Sequence, residues 1–160
     1  MSVSIGDKIP LVTLKTMTSE GPKDITTADI FAGKKVVLFG LPGAFTPTCS
    51  AKHLPGFIEK AAAFAEKGVD TIACISVNDA FVMGAWGKAQ NAGDTVLLLA
   101  DGSADFAKAM GLDADFSAYG MGIRCKRFAL VAEDGVVKLL NVEAPGQFEV
   151  SSADYVLNQL

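Results

Sequence analysis

The chain has 160 residues, of which 50% are hydrophobic and 20% charged, so it can bury the core of one globular domain spanning residues 1–160. Its net charge of −4 argues against a nucleic-acid-binding protein, which would carry a basic surface. No run approaches the roughly 20 apolar residues that a membrane-spanning helix needs. No secretory signal is visible, so we expect a cytoplasmic protein whose three cysteines are thiols rather than disulfides.

Apolar periodicity and turn residues predict alternating strands and helices. Residues 11–14 form a candidate short strand, and residues 26–31 a candidate short helix. Residues 35–40 are a β-branched apolar run, typical of a strand that is covered on both faces. The elements predicted next are a helix over 48–67, a strand over 70–77, a helix over 79–90, a strand over 96–100 and a helix over 104–110.

The pattern changes in the last third of the chain. Apolar runs over 127–132 and 136–142 flank Asp134-Gly135, which is a strong signal for a β-hairpin. Ser151 or Ser152 is placed to cap a last helix over 153–160. Parallel βα units followed by an antiparallel hairpin and a helix predict an α/β protein with a thioredoxin-like fold, in which helices flank a central mixed β-sheet.

The loop after the first strong strand carries the clearest chemical signal. Pro47 suits the first turn of a helix, Thr46 is a natural N-cap, and Cys49 then lies in the first helical turn. Unpaired N–H groups and the helix dipole stabilise a thiolate over a thiol at that position. A lone buried cysteine would be an ordinary core residue, but the rigid loop and the hydroxyl cap favour a reactive Cys49.

The segment PGAFTPTCSAKHLPGF, residues 42–57, resembles the active-site segment of the type II peroxiredoxins, the peroxiredoxin-five group. The family's Pro-x-x-x-Thr-x-x-Cys pattern is filled by Pro42, Thr46 and Cys49. The segments 75–86, 99–113 and 124–143 are similar to that group as well, so the resemblance covers nearly the whole chain.

This resemblance implies a peroxidase that reduces hydrogen peroxide and alkyl hydroperoxides at a peroxidatic Cys49. It implies further that Pro42, Gly43 and Thr46 shape the peroxide pocket and that Arg124 reaches the thiolate. The product would be a sulfenic acid, which a thiol must reduce, without a metal or an organic cofactor. A homodimer is also implied, with an interface near the active site to which some of Phe45, Phe81, Met83 and Trp86 contribute.

Three further residues have alternative interpretations. Cys74 and Cys125 fit buried core positions, and neighbours on a strand point to opposite faces, so Cys125 should point away from the site if Arg124 points into it. His53, the only histidine, follows Cys49 by four residues and could pair with it as a base. We favour a hydrogen-bonded supporting position or a solvent-facing ring for His53, because the helix start and an arginine already favour the thiolate. A zinc site is not expected without a short Cys-x-x-Cys pair.

Some type II peroxiredoxins carry a resolving cysteine just before the last helix, where this chain has none. We therefore expect a one-cysteine cycle, with glutathione and glutaredoxin or thioredoxin as the reductant. A dithiol–disulfide oxidoreductase is disfavoured because Thr46 stands where Cys-x-x-Cys would need a cysteine. A peroxide-sensing or partner-binding module remains the alternative, since it would use the same reactive thiol.

Overall fold

The computed structural model describes residues 2–160 and shows a seven-stranded mixed sheet flanked by helices. The strands are β1 (Thr13–Thr18), β2 (Gly21–Thr26), β3 (Lys35–Gly40), β4 (Thr71–Ser76), β5 (Leu97–Ala100), β8 (Phe128–Glu133) and β9 (Val136–Val142), and β6 (Asp113–Asp115) pairs with β7 (Ile123–Cys125) in a separate small sheet. The order across the main sheet is β2-β1-β5-β4-β3-β8-β9. The predicted mixed sheet flanked by helices is confirmed.

Strands β3, β4 and β5 run parallel at the centre, and their neighbours on both sides run antiparallel. The helices are α1 (Thr27–Phe31), α2 (Leu54–Glu59), α3 (Ala61–Glu66), α4 (Ala80–Ala89), α5 (Asp105–Met110) and α6 (Ala153–Asn158), with a π-helical segment over Cys49–His53 and a 3₁₀ turn over Ser117–Tyr119. Among residues 2–160, none of these helices is long and apolar enough to cross a membrane.

Both faces of the central strand β3 are buried, and every residue of β3 after Lys35 is apolar or glycine. Val37 and Phe39 pack on one side with the aromatic side chains of α2, α3 and α4. Val36 and Leu38 pack on the opposite side, with residues of α1 and α5. This alternation follows from the two-residue period of a strand, and it explains why residues 35–40 lack any polar position after Lys35.

The hairpin prediction is confirmed: β8 and β9 pair antiparallel around Asp134 and Gly135, which both have positive φ. The predicted strand over 11–14 was too short, because Thr13–Thr18 is the first arm of a second hairpin, β1–β2. The predicted helix over 48–67 is interrupted. Lys60 has φ −95° and ψ 8°, which separates α2 from α3, and the π-helical segment precedes both.

Gly40 ends β3 and immediately precedes the loop that leads to Cys49. A Cβ atom added there would lie 2.1 Å from Cε1 of Phe128, its cross-strand partner on β8. We predict that Gly40→Ala lowers the free energy of unfolding by about 1–3 kcal/mol, since the ring of Phe128 is fully buried and cannot move freely. Chemical denaturation monitored by circular dichroism measures this change.

Gly56→Ala is the matched control for this prediction. An added Cβ at Gly56 meets only the Cβ of Ala153, at 3.8 Å, and the residue lies inside α2. Alanine is the better helix former by about 1 kcal/mol, so the control variant should be as stable as the parent or more stable. Equal stability of the two glycine variants would contradict the steric argument.

Candidate active site

The loop that leaves β3 is fixed to the neighbouring parallel strand by Asn78. The Asn78 Oδ1 atom accepts a hydrogen bond from the backbone N–H of Ala44 at 3.0 Å and another from the Ser76 hydroxyl at 2.6 Å. The next residue, Asp79, caps α4, because its carboxylate accepts from the N–H of Val82. The carboxyl ends of β3 and β4 therefore hold the loop together, at the edge where open α/β sheets place their chemistry.

The helix that carries Cys49 begins at Pro47, and its first backbone bond runs from Ser50 N to Thr46 O, at 3.0 Å. Thr46 thus occupies the N-cap position, and the N–H of Cys49 is one of the donors that a helix start leaves without a helical acceptor. The predicted first-turn position of Cys49 is confirmed. A capping side chain would accept a hydrogen bond from a helix N–H. The hydroxyl of Thr46 instead donates to the carbonyl of Gly43 at 2.6 Å.

Cys49 is fully buried and lies within the apolar cluster formed by β3, β4 and α2. It opens the π-helical segment, in which the N–H of Leu54 bonds to the carbonyl of Cys49 five residues back. Such wide turns are rare and are found mostly at functional sites. The thiol therefore lies at the junction of a rigid loop and an irregular helical turn.

Arg127, rather than Arg124, contacts the thiol. The Nη2 atom of Arg127 lies 3.1 Å from Sγ of Cys49. The expectation that Arg124 reaches the thiolate was wrong, because Arg124 belongs to β7 in the small sheet. Arg127 immediately precedes β8, whose first residue, Phe128, pairs with Gly40 at the end of β3. That pairing brings the Arg127 side chain to the loop that follows β3.

Arg124 supports the outer side of the same loop. Its Nε donates to the carbonyl of Met121 at 2.9 Å and its Nη1 to the carbonyl of Pro42 at 3.3 Å. A Cβ atom at Gly43 would lie 3.0 Å from Nη1 of Arg124 and 3.2 Å from Cγ2 of Thr46, so glycine permits this close approach. The structure thus brings Pro42, Gly43, Thr46 and Arg124 together in the loop that leads to Cys49.

His53 is fully buried and connects Arg127 to the segment that precedes α6. Its Nδ1 lies 2.9 Å from Nη1 of Arg127, and its Nε2 lies 3.0 Å from the carbonyl oxygen of Ser151. Burial and the nearby Arg127 charge lower the pKa of His53 to about 3, so the ring is neutral at physiological pH. The structure therefore favours the hydrogen-bonded supporting position over a solvent-facing ring.

Phe148 covers this group from the segment between β9 and α6. Its ring centroid lies 5.8 Å from Cζ of Arg127 and 5.1 Å from the centroid of the His53 ring. The guanidinium therefore faces an aromatic ring on one side and the thiol on another. Phe148 was not expected from the sequence, where it is one apolar residue in a polar stretch.

The other two cysteines lie in the core and are free thiols, like Cys49. Cys74 is fully buried on β4, in the same cluster as Cys49, and burial raises its pKa well above the ordinary value. Cys125 packs in the cluster on the opposite side of the main sheet, and burial raises its pKa as well. Neither thiol has the cationic contact that Cys49 has.

The four side chains suggested for an apolar interface divide into two pairs. Phe45 and Phe81 are 56% and 68% exposed, whereas Met83 and Trp86 are buried. Trp86 donates from Nε1 to the hydroxyl of Ser50 at 3.0 Å, so it braces the helix next to Cys49. Only Phe45 and Phe81 remain available for an interface.

Comparisons with known proteins show the family of this chain. The Redoxin family profile matches residues 4–157. The chain is 52% identical to peroxiredoxin-2E-2, chloroplastic, of Oryza sativa subsp. japonica over 164 residues, which cover 99% of this chain and 73% of that protein. It is 48% identical to peroxiredoxin-2B of Arabidopsis thaliana, with 99% and 98% covered. The crystal structure of reduced Prx3 in complex with H₂O₂ from Vibrio vulnificus matches with a TM-score of 0.94 and 53% identity, with 98% of each chain covered. The chain therefore belongs to the Redoxin family and, within it, to the type II peroxiredoxins.

Proposed function

We propose that this chain is a thiol-dependent peroxidase that reduces hydrogen peroxide and alkyl hydroperoxides at Cys49. The observation that carries the proposal is the 3.1 Å contact between Nη2 of Arg127 and Sγ of Cys49 at the start of a helix. The peroxiredoxin relatives support a thiol-dependent peroxidase. The hydrogen peroxide bound in the Vibrio vulnificus structure supports the same substrate class here.

In the proposed reaction the Cys49 thiolate attacks one peroxide oxygen and forms an S–O bond while the O–O bond breaks. The electron pair of the O–O bond leaves with the second oxygen, which takes a proton and departs as water or an alcohol. In this proposal the Arg127 guanidinium and the N–H of Cys49 stabilise the charge that develops on that oxygen. The Thr46 proton already bonds the carbonyl of Gly43, so its oxygen lone pairs are free to accept a hydrogen bond from the peroxide.

The proposed reductant is an external thiol, supplied by glutathione with glutaredoxin or by thioredoxin. The thiol attacks the Cys49 sulfenic acid, releases water and leaves a mixed disulfide, which a second thiol reduces. The burial and raised pKa values of Cys74 and Cys125 disfavour either of them as the attacking thiolate. Mass spectrometry of the peroxide-treated protein tests this: an intramolecular disulfide as the main product contradicts a one-cysteine cycle.

We further propose a homodimer that covers Phe45 and Phe81, because exposed phenylalanines, one in the loop and one on α4, suit an apolar contact. A cytoplasmic location stays a prediction for this chain. The word chloroplastic is part of the name of the rice relative and describes that protein.

The decisive experiment follows peroxide loss with purified protein in the presence of glutathione and glutaredoxin, or of thioredoxin and its reductase. We expect many turnovers per protein with at least one of the two systems. Oxidation of one equivalent without turnover in either system would instead favour a peroxide-sensing module that uses the same thiol.

A further inference from the structure

A continuous set of hydrogen bonds links the thiol to the segment between β9 and α6, residues 143–152. Arg127 bonds His53, and the other ring nitrogen of His53 bonds the carbonyl of Ser151. The buried carboxylate of Glu143 in turn accepts from the N–H of Ser151 at 2.8 Å and from its hydroxyl at 2.6 Å, both through Oε2. The N–H of Glu149 donates to the same oxygen at 2.7 Å.

The two partners of His53 select a single protonation state. A carbonyl oxygen only accepts, so Nε2 must carry the proton that bonds Ser151. A guanidinium only donates, so Nδ1 must be unprotonated where it faces Arg127. Only the neutral tautomer with the proton on Nε2 satisfies both contacts.

A neutral acceptor has a specific consequence for Arg127. A carboxylate in this position would orient the guanidinium but would also offset its charge. Among residues 2–160 the ion pairs all involve lysine, so Arg127 has an acceptor without an opposing charge. The positive charge that contacts Cys49 is therefore not offset by a paired carboxylate.

Glu143 orders the segment that supplies the carbonyl. Burial raises the pKa of its carboxyl, but bonds from the Ser151 hydroxyl and from the N–H groups of Ser151, Glu149 and Val150 together outweigh burial and lower that pKa below its ordinary value. The carboxylate therefore stays ionised at neutral pH and holds this short segment in place through its bonds to Glu149 and Ser151.

We propose that His53 and Glu143 are positioning residues for the peroxide reaction. Glu143 fixes residues 149–151, the Ser151 carbonyl fixes the His53 tautomer, and His53 holds the Arg127 guanidinium on the sulfur of Cys49. This inference rests on the proposed function, and it adds a role for the 143–152 segment, which carries no cysteine in this chain.

The first test measures the tautomer directly, because His53 is the only histidine and its ring signals are unambiguous in ¹⁵N NMR. We expect a neutral ring with the proton on Nε2 that does not titrate between about pH 5 and 8, the range in which an ordinary histidine changes charge. A ring that titrates in this range, or one with the proton on Nδ1, overturns the proposal. This measurement needs no peroxidase activity.

The second test uses four variants, with Cys74→Ser and Cys125→Ser in the background so that only Cys49 reacts. Alkylation of Cys49 by iodoacetamide is followed as a function of pH, and peroxide consumption is measured in parallel. His53→Leu and Glu143→Gln should shift the alkylation profile to higher pH and slow the peroxide reaction, by on the order of 10²-fold for His53→Leu. His53→Gln, whose amide offers an acceptor and a donor, should recover part of both.

Glu66→Gln is the matched control, since it makes the same change at an exposed position on α3, outside the hydrogen-bonded network. It should leave both measurements at the parent values. Unchanged alkylation profiles in folded His53→Leu and Glu143→Gln overturn the positioning role, even if the chain proves not to turn over peroxide. If the parent lacks turnover but the profiles shift as expected, the proposed function fails and the positioning of Arg127 stands.

Discussion

Cys49→Ser is expected to abolish peroxide turnover, with a loss on the order of 10⁴-fold or more, as when other enzymes lose a covalent nucleophile. A serine hydroxyl cannot be oxidised to a sulfenic acid, so the first chemical step has no substitute. The fold should persist, because serine is close to cysteine in size, although its hydroxyl is placed in an apolar cluster. The measurement is peroxide consumption with either thiol donor system at saturating reductant.

The same substitution at the other two cysteines provides the control. Cys74→Ser and Cys125→Ser each place a hydroxyl in the core, which costs about 1–3 kcal/mol of stability if the hydroxyl finds no partner. Both should nevertheless turn over peroxide at close to the parent rate below their melting temperatures. Loss of turnover in folded Cys74→Ser would show that Cys74, which lies in the Cys49 cluster, takes part in the cycle.

Much of the fold could be predicted because its elements have strong local signals. The strand over Lys35–Gly40 has no polar residue after Lys35, and the β8–β9 hairpin has Asp134-Gly135 at its turn. The helix over 48–67 was wrongly predicted to be continuous. The spacing of hydrophobic residues indicates which face of a helix is buried. It does not indicate where the helix widens, as at Cys49–His53, or where it breaks, as at Lys60.

The site was predicted around Cys49 and Thr46, whose roles depend on their neighbours in sequence. The arginine was assigned wrongly because Arg124 and Arg127 lie three residues apart, and the choice between them depends on which strand pairs with β3. That pairing is a long-range property. Glu143 was missed for a related reason: an acidic residue in a polar segment is typical of the surface, and only the tertiary structure shows its burial.

Arg127→Lys is expected to slow the reaction of Cys49 with peroxide by on the order of 10²–10³-fold, the loss seen when one preorganised donor is removed from a charged transition state. The guanidinium contacts Sγ of Cys49 and Nδ1 of His53 with two different nitrogens, at 3.1 Å and 2.9 Å. A lysine ammonium keeps the charge but is a single point on a flexible stem, so it cannot hold both contacts in one plane. Stopped-flow measurement of the first oxidation gives the rate without interference from the reductant.

Arg124→Lys is the matched control, because it makes the same change three residues away on an arginine that contacts the loop rather than the thiol. Its Nη1 bonds the carbonyl of Pro42, and losing one such hydrogen bond costs about 1 kcal/mol, which corresponds to roughly a tenfold effect or less. A greater loss in Arg124→Lys than in Arg127→Lys would return the principal role to Arg124. A large loss in Arg127→Lys alone would instead show that the residue before β8 supplies the charge, because β8 is the strand that places a side chain at the carboxyl end of β3.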